Sequence, residues 1–155
     1  MMETEVHIGH INLARSFNGA GEHFVKLIEA LQKLGVQQYL LVGNVALAKR
    51  LDLIDDVTVG PVVHSAVMAY CLMPHLDIVH VHDPAEGRSG LLLTLTRSIP
   101  FVLTHHGHSP GKNPLTRAVY KRASGIIYQS DADAGKHLRI YQHAVDLWRE
   151  TTVSP

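Results

Sequence analysis

Apolar residues recur in two rhythms along this chain. Runs of strand length, Val6 to Leu13, Val36 to Val42 (VQQYLLV), Val57 to Val59, Ile78 to Val81, Phe101 to Thr104 and Ile126 to Tyr128, alternate with stretches of helical spacing. The first helical stretch is the clearest: Phe24, Leu27, Ile28, Leu31 and Leu34 share one face, and Gly35 ends it. Asn18-Gly19-Ala20-Gly21 ahead of it reads as a glycine turn. Further helices are predicted over Val45 to Leu51, Val63 to Leu72, Gly87 to Arg97 and Pro114 to Ala123, the last opening on proline. Gly60-Pro61 and Pro74 break the chain between elements. Strands separated by helices call for parallel pairing through right-handed crossovers. The expected fold is α/β, a single domain with a doubly wound, Rossmann-like parallel sheet.

Composition narrows the class. With 155 residues, 46% of them apolar and 18% charged, the chain has enough material for one domain with a real core. Lys and Arg number 14, as do Asp and Glu, so net charge gives no reason to expect a nucleic-acid partner. Cys71 is the one cysteine; it sits in an apolar stretch, where packing is its expected role, and its lack of a disulfide partner fits a reducing compartment. The opening METEVHIGH lacks a signal-peptide profile, and no apolar run approaches the ~20 residues that span a bilayer. A cytoplasmic protein is expected, at most peripheral at the inner face of the membrane.

The chemistry-bearing residues gather at strand ends. Five of the twelve histidines fall in two blocks, His80 and His82 in DIVHVHD (77–83) and His105, His106 and His108 in FVLTHHGH (101–108). Loops leaving the carboxyl ends of parallel strands line the ligand crevice of such a fold, so both blocks point to it. His80 alternates with Val79 and Val81 and is expected to be packed and hydrogen-bonded. His82 and His106 fall where a strand has just ended and are the stronger candidates. Imidazoles beside the Asp83 carboxylate could bond sugar hydroxyls, exchange protons near neutral pH, or hold a metal. The H-x-H spacing of His80 and His82 keeps a zinc-dependent hydrolase as an alternative. No carboxylate-rich strand end follows Asp83, however, so hydrogen bonding is expected and metal is not.

The 18–22 turn, Asn18-Gly-Ala-Gly-Glu22, lets backbone approach a ligand while the helix behind it aims N–H groups at an anion. Phe24 occupies the third glycine position of the dinucleotide fingerprint and no P-loop lysine follows, so neither NAD binding nor nucleoside-triphosphate hydrolysis is expected. HIGH at 7–10 spells an aminoacyl-tRNA synthetase signature but lies within the first predicted strand, out of the context that motif needs.

Four blocks in order, NGAGE (18–22), DIVHVHD (77–83), IPFVLTHHGH (99–108) and ASGIIYQSDADAGKHL (123–138), resemble the amino-terminal half of a family four glycosyltransferase of the GT-B fold. The family pattern has paired glycines before the glutamate and Ala-Asp where this chain has Ser124-Gly125. The resemblance implies that His106 is the catalytic residue, close to the transferred sugar and the reacting phosphate. Gly19, Gly21 and Glu22 would face the donor diphosphate; by itself, Glu22 also suits a helix start by complementing the dipole. Asn18, His82, Asp83, His105, His108 and Ser130 would form the acceptor side. The implied acceptor is a glycan, a lipid-linked sugar or another hydroxyl compound; a nucleotide-sugar would be co-substrate, with no cofactor.

RIYQHAVDLW (139–148) resembles the family segment that leads into the second domain. The expected organisation is therefore a domain over 1–142 and the start of an interdomain linker over 143–155, with the donor domain absent and the chain inactive alone. A tail carrying Leu147 and Trp148 is expected to self-associate or to meet a donor-domain subunit. The alternative is a non-catalytic module that binds a glycan or a partner. Lys112, Arg117, Lys121 and Arg122 read as a solvated face; in relatives acting on lipid-linked acceptors this region implies weak contact with anionic membrane.

Overall fold

The computed structural model describes residues 5–83, 86–105 and 113–128. Its elements run β1 (His7–Asn12), α1 (Gly19–Lys33), β2 (Gln37–Val42), α2 (Val45–Leu51), β3 (Val57–Val59), α3 (Ala66–Leu72), β4 (Ile78–Val81), α4 (Gly87–Arg97), β5 (Phe101–His105), α5 (Pro114–Arg122) and β6 (Gly125–Tyr128). The six strands form one parallel sheet in the order β3-β2-β1-β4-β5-β6. Every strand and helix read from the periodicity is present, and the order reverses between β1 and β4. That reversal is where a doubly wound sheet opens a crevice at its carboxyl edge.

Alternation along the strands divides the core between two faces. Ile11, Leu41, Val79, Val81, Phe101 and Leu103 pack with Ala69, Leu91, Leu93 and Val119 from α3, α4 and α5, and with Met73, the C-cap of α3. On the other face, Phe24, Val25, Ile28, Leu47 and Leu51 of α1 and α2 cover Leu40 and Val42. Leu31 continues that layer over Ile8, Val102 and Ile127. Burying a side chain of this size contributes roughly 1.5–3 kcal/mol, which makes both layers the main source of stability.

Local chemistry moves three of the expected boundaries or roles. Gly19 and Gly21 lie inside the first turn of α1, and Asn18 is its N-cap, its side-chain oxygen accepting from the Ala20 N–H at 3.1 Å. What reads as a glycine turn is thus a helix start. Helix α3 begins at Ala66, not Val63, because the Val63 N–H still donates to the Val42 carbonyl (2.9 Å) and Ser65 supplies the cap, accepting from Met68 N at 3.2 Å. Cys71 does not pack in the core. It is exposed on α3, beside Val67 (61% exposed), Met68 (48%) and Leu72 (41%). Gly35 does end α1 as expected, with φ +74° and its N–H on the Gln32 carbonyl at 2.9 Å, a conformation that favours glycine. Among the described residues no helix is long and apolar enough to cross a membrane.

Candidate functional site

The α1 face of the sheet changes character from one edge to the other. At the amino ends of the strands it carries Ile8, Ile78 and Val102; two residues further along, the same face carries His10, His80 and Thr104, all buried. His10 and His80 are register partners on adjacent strands, and His82 follows His80 by one further alternation. The three rings gather: His10 Nδ1 lies 3.1 Å from His82 Nε2, and the His80 and His82 centroids are 3.7 Å apart. His80 Nε2 and the Thr104 hydroxyl are 2.6 Å apart, which confirms the packed, hydrogen-bonded role expected of His80. Phe24 of α1 sets its ring edge-on against His82, at 4.5 Å, and against His10, at 5.9 Å.

Burial lowers the His10 pKa to about 3, and the neighbouring Gln38 side chain only partly opposes the shift. His10 is therefore a neutral ring at physiological pH. Glu86, at the head of α4, moves the opposite way. Desolvation raises its pKa to about 8; the Leu13 backbone N–H, which donates to Oε1 at 2.5 Å, works against the rise, the Asp83 charge adds to it, and the His82 backbone opposes it. A carboxyl that keeps its proton near neutrality is placed beside the switch point.

Above these residues lies a crevice of about 650 Å³, bounded by the start of α1, the loop after β1 and the carboxyl end of β4. Asn12, Ser16, Asn18, His82, Asp83 and Arg88 give it polar walls, while Phe24, Leu27 and Leu47 give it apolar ones. Asn18, Gly21, His82 and Asp83, all selected from the sequence, meet here. Gly19 and Glu22 lie beside the crevice, exposed on the first turn of α1. The two glycines also differ in their surroundings. A Cβ on Gly21 would sit 2.5 Å from Cδ2 of Phe17, whereas one on Gly19 would meet nothing within 4 Å.

His105 ends β5 away from the crevice lining, with Nδ1 2.5 Å from the Tyr120 hydroxyl. His106, His108, Lys112, Ser130 and the 143–155 tail lie outside the described residues. Residues that join the site without having been selected from the sequence include His10, Asn12, Ser16, Glu86, Arg88 and Thr104. Strand parity carried a signal for His10, since it shares the face of Ile8 across from His80. Glu86 and Arg88 have no comparable pattern; the start of α4, set beside the loop after β1, brings them to the crevice.

A parallel sheet that reverses order at a crevice with polar and apolar walls defines a Rossmann-like domain. The model of Glycosyltransferase Family 4 matches residues 17–146, and the chain belongs to that family. It is a glycosyltransferase-type domain. No curated protein matches the chain. Among solved structures, the crystal structure of AnUbiX (PadA1) in complex with FMN and dimethylallyl pyrophosphate is similar, with 13% identity over 82% of this chain and 78% of that one and a TM-score of 0.44. That likeness is too distant to bear on chemistry.

Proposed function

We propose that this domain forms the acceptor-binding side of a glycosyltransferase, and that a donor-binding domain or separate subunit presents the nucleotide-sugar to it. The crevice at the β1/β4 switch carries the reading. Its Asn18, His82 and Asp83 walls offer donors and acceptors to hydroxyl groups, and Phe24 and Leu27 offer an apolar surface to the C–H face of a sugar ring. Acceptors of this kind include glycans, lipid-linked sugars and other hydroxyl compounds. The amides of the α1 first turn, near Gly19 and Gly21, favour an anionic diphosphate at the crevice mouth, and His106, just beyond β5, serves the reacting centre. Rate enhancement then comes from holding the attacking hydroxyl in place and stabilising the departing diphosphate.

The test is a transfer assay with a panel of nucleotide-sugars and hydroxyl acceptors, run beside acceptor-binding measurements on the same full chain. Acceptor binding without turnover is the result this proposal predicts, since it assigns these residues one side of the cleft. Robust transfer by the chain alone would overturn the need for a donor-binding partner.

A further inference from the structure

His10, His80 and His82 each offer one nitrogen, and the three nitrogens lie within 4.8 Å of one another in a buried pocket of the sheet face. From this juxtaposition we infer a binding site for a zinc-class divalent ion at the floor of the crevice, with these three imidazoles as ligands. Zinc bound tetrahedrally to nitrogen at ~2.0–2.1 Å sets its ligand atoms roughly 3.4 Å apart. His10 Nδ1 and His82 Nε2, at 3.1 Å, already stand near that separation. The third nitrogen, within 4.8 Å of the other two, closes to that separation when the ion binds.

The atoms behind the rings fit the same purpose. A metal-bound histidine carries its proton on the other ring nitrogen and needs an acceptor there. For His80 the Thr104 hydroxyl stands 2.6 Å from Nε2, an oxygen of the kind a metal-bound ring needs at its second nitrogen. His10 Nε2 and Gln38 Oε1 are both buried without a hydrogen-bond partner, a donor position and an acceptor position on side chains that pack together, and fixing the His10 ring on a metal gives each atom the other. Gln38 is itself held, its amide donating to the Ile28 carbonyl at 3.0 Å.

Ligand chemistry selects the ion. Three neutral imidazoles suit zinc, cobalt, nickel or copper; magnesium and calcium require oxygen ligands. The rings of His80 and His82 reach the crevice wall while His10 lies beneath, so the fourth coordination position opens toward the crevice and would take an oxygen from water or from a bound ligand. Asp83 on the same wall supplies a carboxylate to balance part of the added charge. This site shares His82 with the acceptor-binding reading, so the two are tested apart: metal uptake by titration, and acceptor binding with the ion removed.

The experiment uses the full chain, stripped with a chelator and titrated with zinc chloride by calorimetry, then with cobalt chloride by visible absorption. One ion per chain is expected, with the cobalt bands of tetrahedral nitrogen ligation. His10→Ala and His82→Ala should each abolish stoichiometric binding, and Gln38→Leu should weaken it about 10- to 100-fold. Replacing His105, His106 and His108 together should leave it intact, which separates the trio from the other histidine block. Where an alanine variant does not fold, the cobalt spectrum of the wild-type chain and the Gln38→Leu titration decide. The inference fails if the stripped chain takes up no zinc, if binding survives loss of His10 or His82 in folded protein, or if Gln38→Leu binds as tightly as wild type. Acceptor binding measured in chelator tests the functional proposal separately.

Discussion

Glu86 Oε1 accepts the backbone N–H of Leu13 at 2.5 Å, joining the head of α4 to the chain as it leaves β1. These are the two strand ends that flank the switch point. A protonated carboxyl therefore clamps the crevice walls together, and its ionisation at alkaline pH brings charge into a place that burial has stripped of water.

The stability of metal-free protein should consequently depend on pH in three stages. Glu86 holds its proton to about pH 8 when folded but only to an ordinary 4.5 when unfolded, so its contribution is full below 4.5 and is lost as pH rises to 8. His10, with a pKa lowered from 6.5 to about 3, contributes fully above 6.5 and loses that contribution as pH falls toward 3. The two slopes cancel between 4.5 and 6.5, leaving a plateau with acid and alkaline shoulders. Each shoulder should slope by at most about 1.4 kcal/mol per pH unit. Urea unfolding of wild type and Glu86→Gln in chelator checks this: the alkaline shoulder should disappear in the variant, and an unchanged slope would assign it to another group.

Gly19 and Gly21 should respond differently to alanine. With open space around a new Cβ and helical geometry, Gly19→Ala should stabilise by about 0.5 kcal/mol. Gly21→Ala gains the same helix propensity but must push the exposed Phe17 ring aside, so no net stabilisation is expected. Thermal melts of the two variants compare them directly; equal gains would mean that the Phe17 contact imposes nothing.

Asn44 caps α2 through Leu47 N (2.9 Å) while its amide donates to the Arg15 carbonyl at 2.7 Å, steadying the loop between β1 and α1. Asn44→Ala should cost about 1–2 kcal/mol, since both the cap and the loop tie are lost. Asn44→Ser keeps a cap oxygen and should recover part of that loss. Full recovery by serine would show that the bond to Arg15 adds no stability.

Much of the architecture was legible because burial follows parity. The runs ending at Val42, Val81 and Thr104 are short and apolar, and the helix from Phe24 to Leu34 shows its period openly; the sheet order then follows from right-handed crossovers. Boundaries were less legible where a cap decided them. Nothing in the periodicity of 63–72 reveals that Val63 still bonds to β2, and a glycine-rich segment reads as a turn until Asn18 is seen to cap it. At the site, the blocks at 18–22 and 77–83 supplied Asn18, Gly21, His82 and Asp83 of the crevice lining, whereas the other two blocks supply only Thr104 among the described residues. His10 was set aside with an accidental motif, although its parity with Ile8 places it beneath α1. Glu86 could not be foreseen, because its environment comes from the distant Leu13 and from the burial of the head of α4.

The central claim is that the crevice at the β1/β4 switch receives a hydroxyl-bearing acceptor. Chemical-shift mapping of the isotopically labelled full chain, titrated in chelator with a panel of mono- and oligosaccharides, tests it most directly. The account predicts saturable shifts for at least one sugar, concentrated at Asn18, Gly21, His82 and Asp83, weakened by His82→Ala, and absent from the outer face of α3 around Met68 and Cys71. No shift with any sugar of the panel, or shifts confined to that outer face, would contradict it.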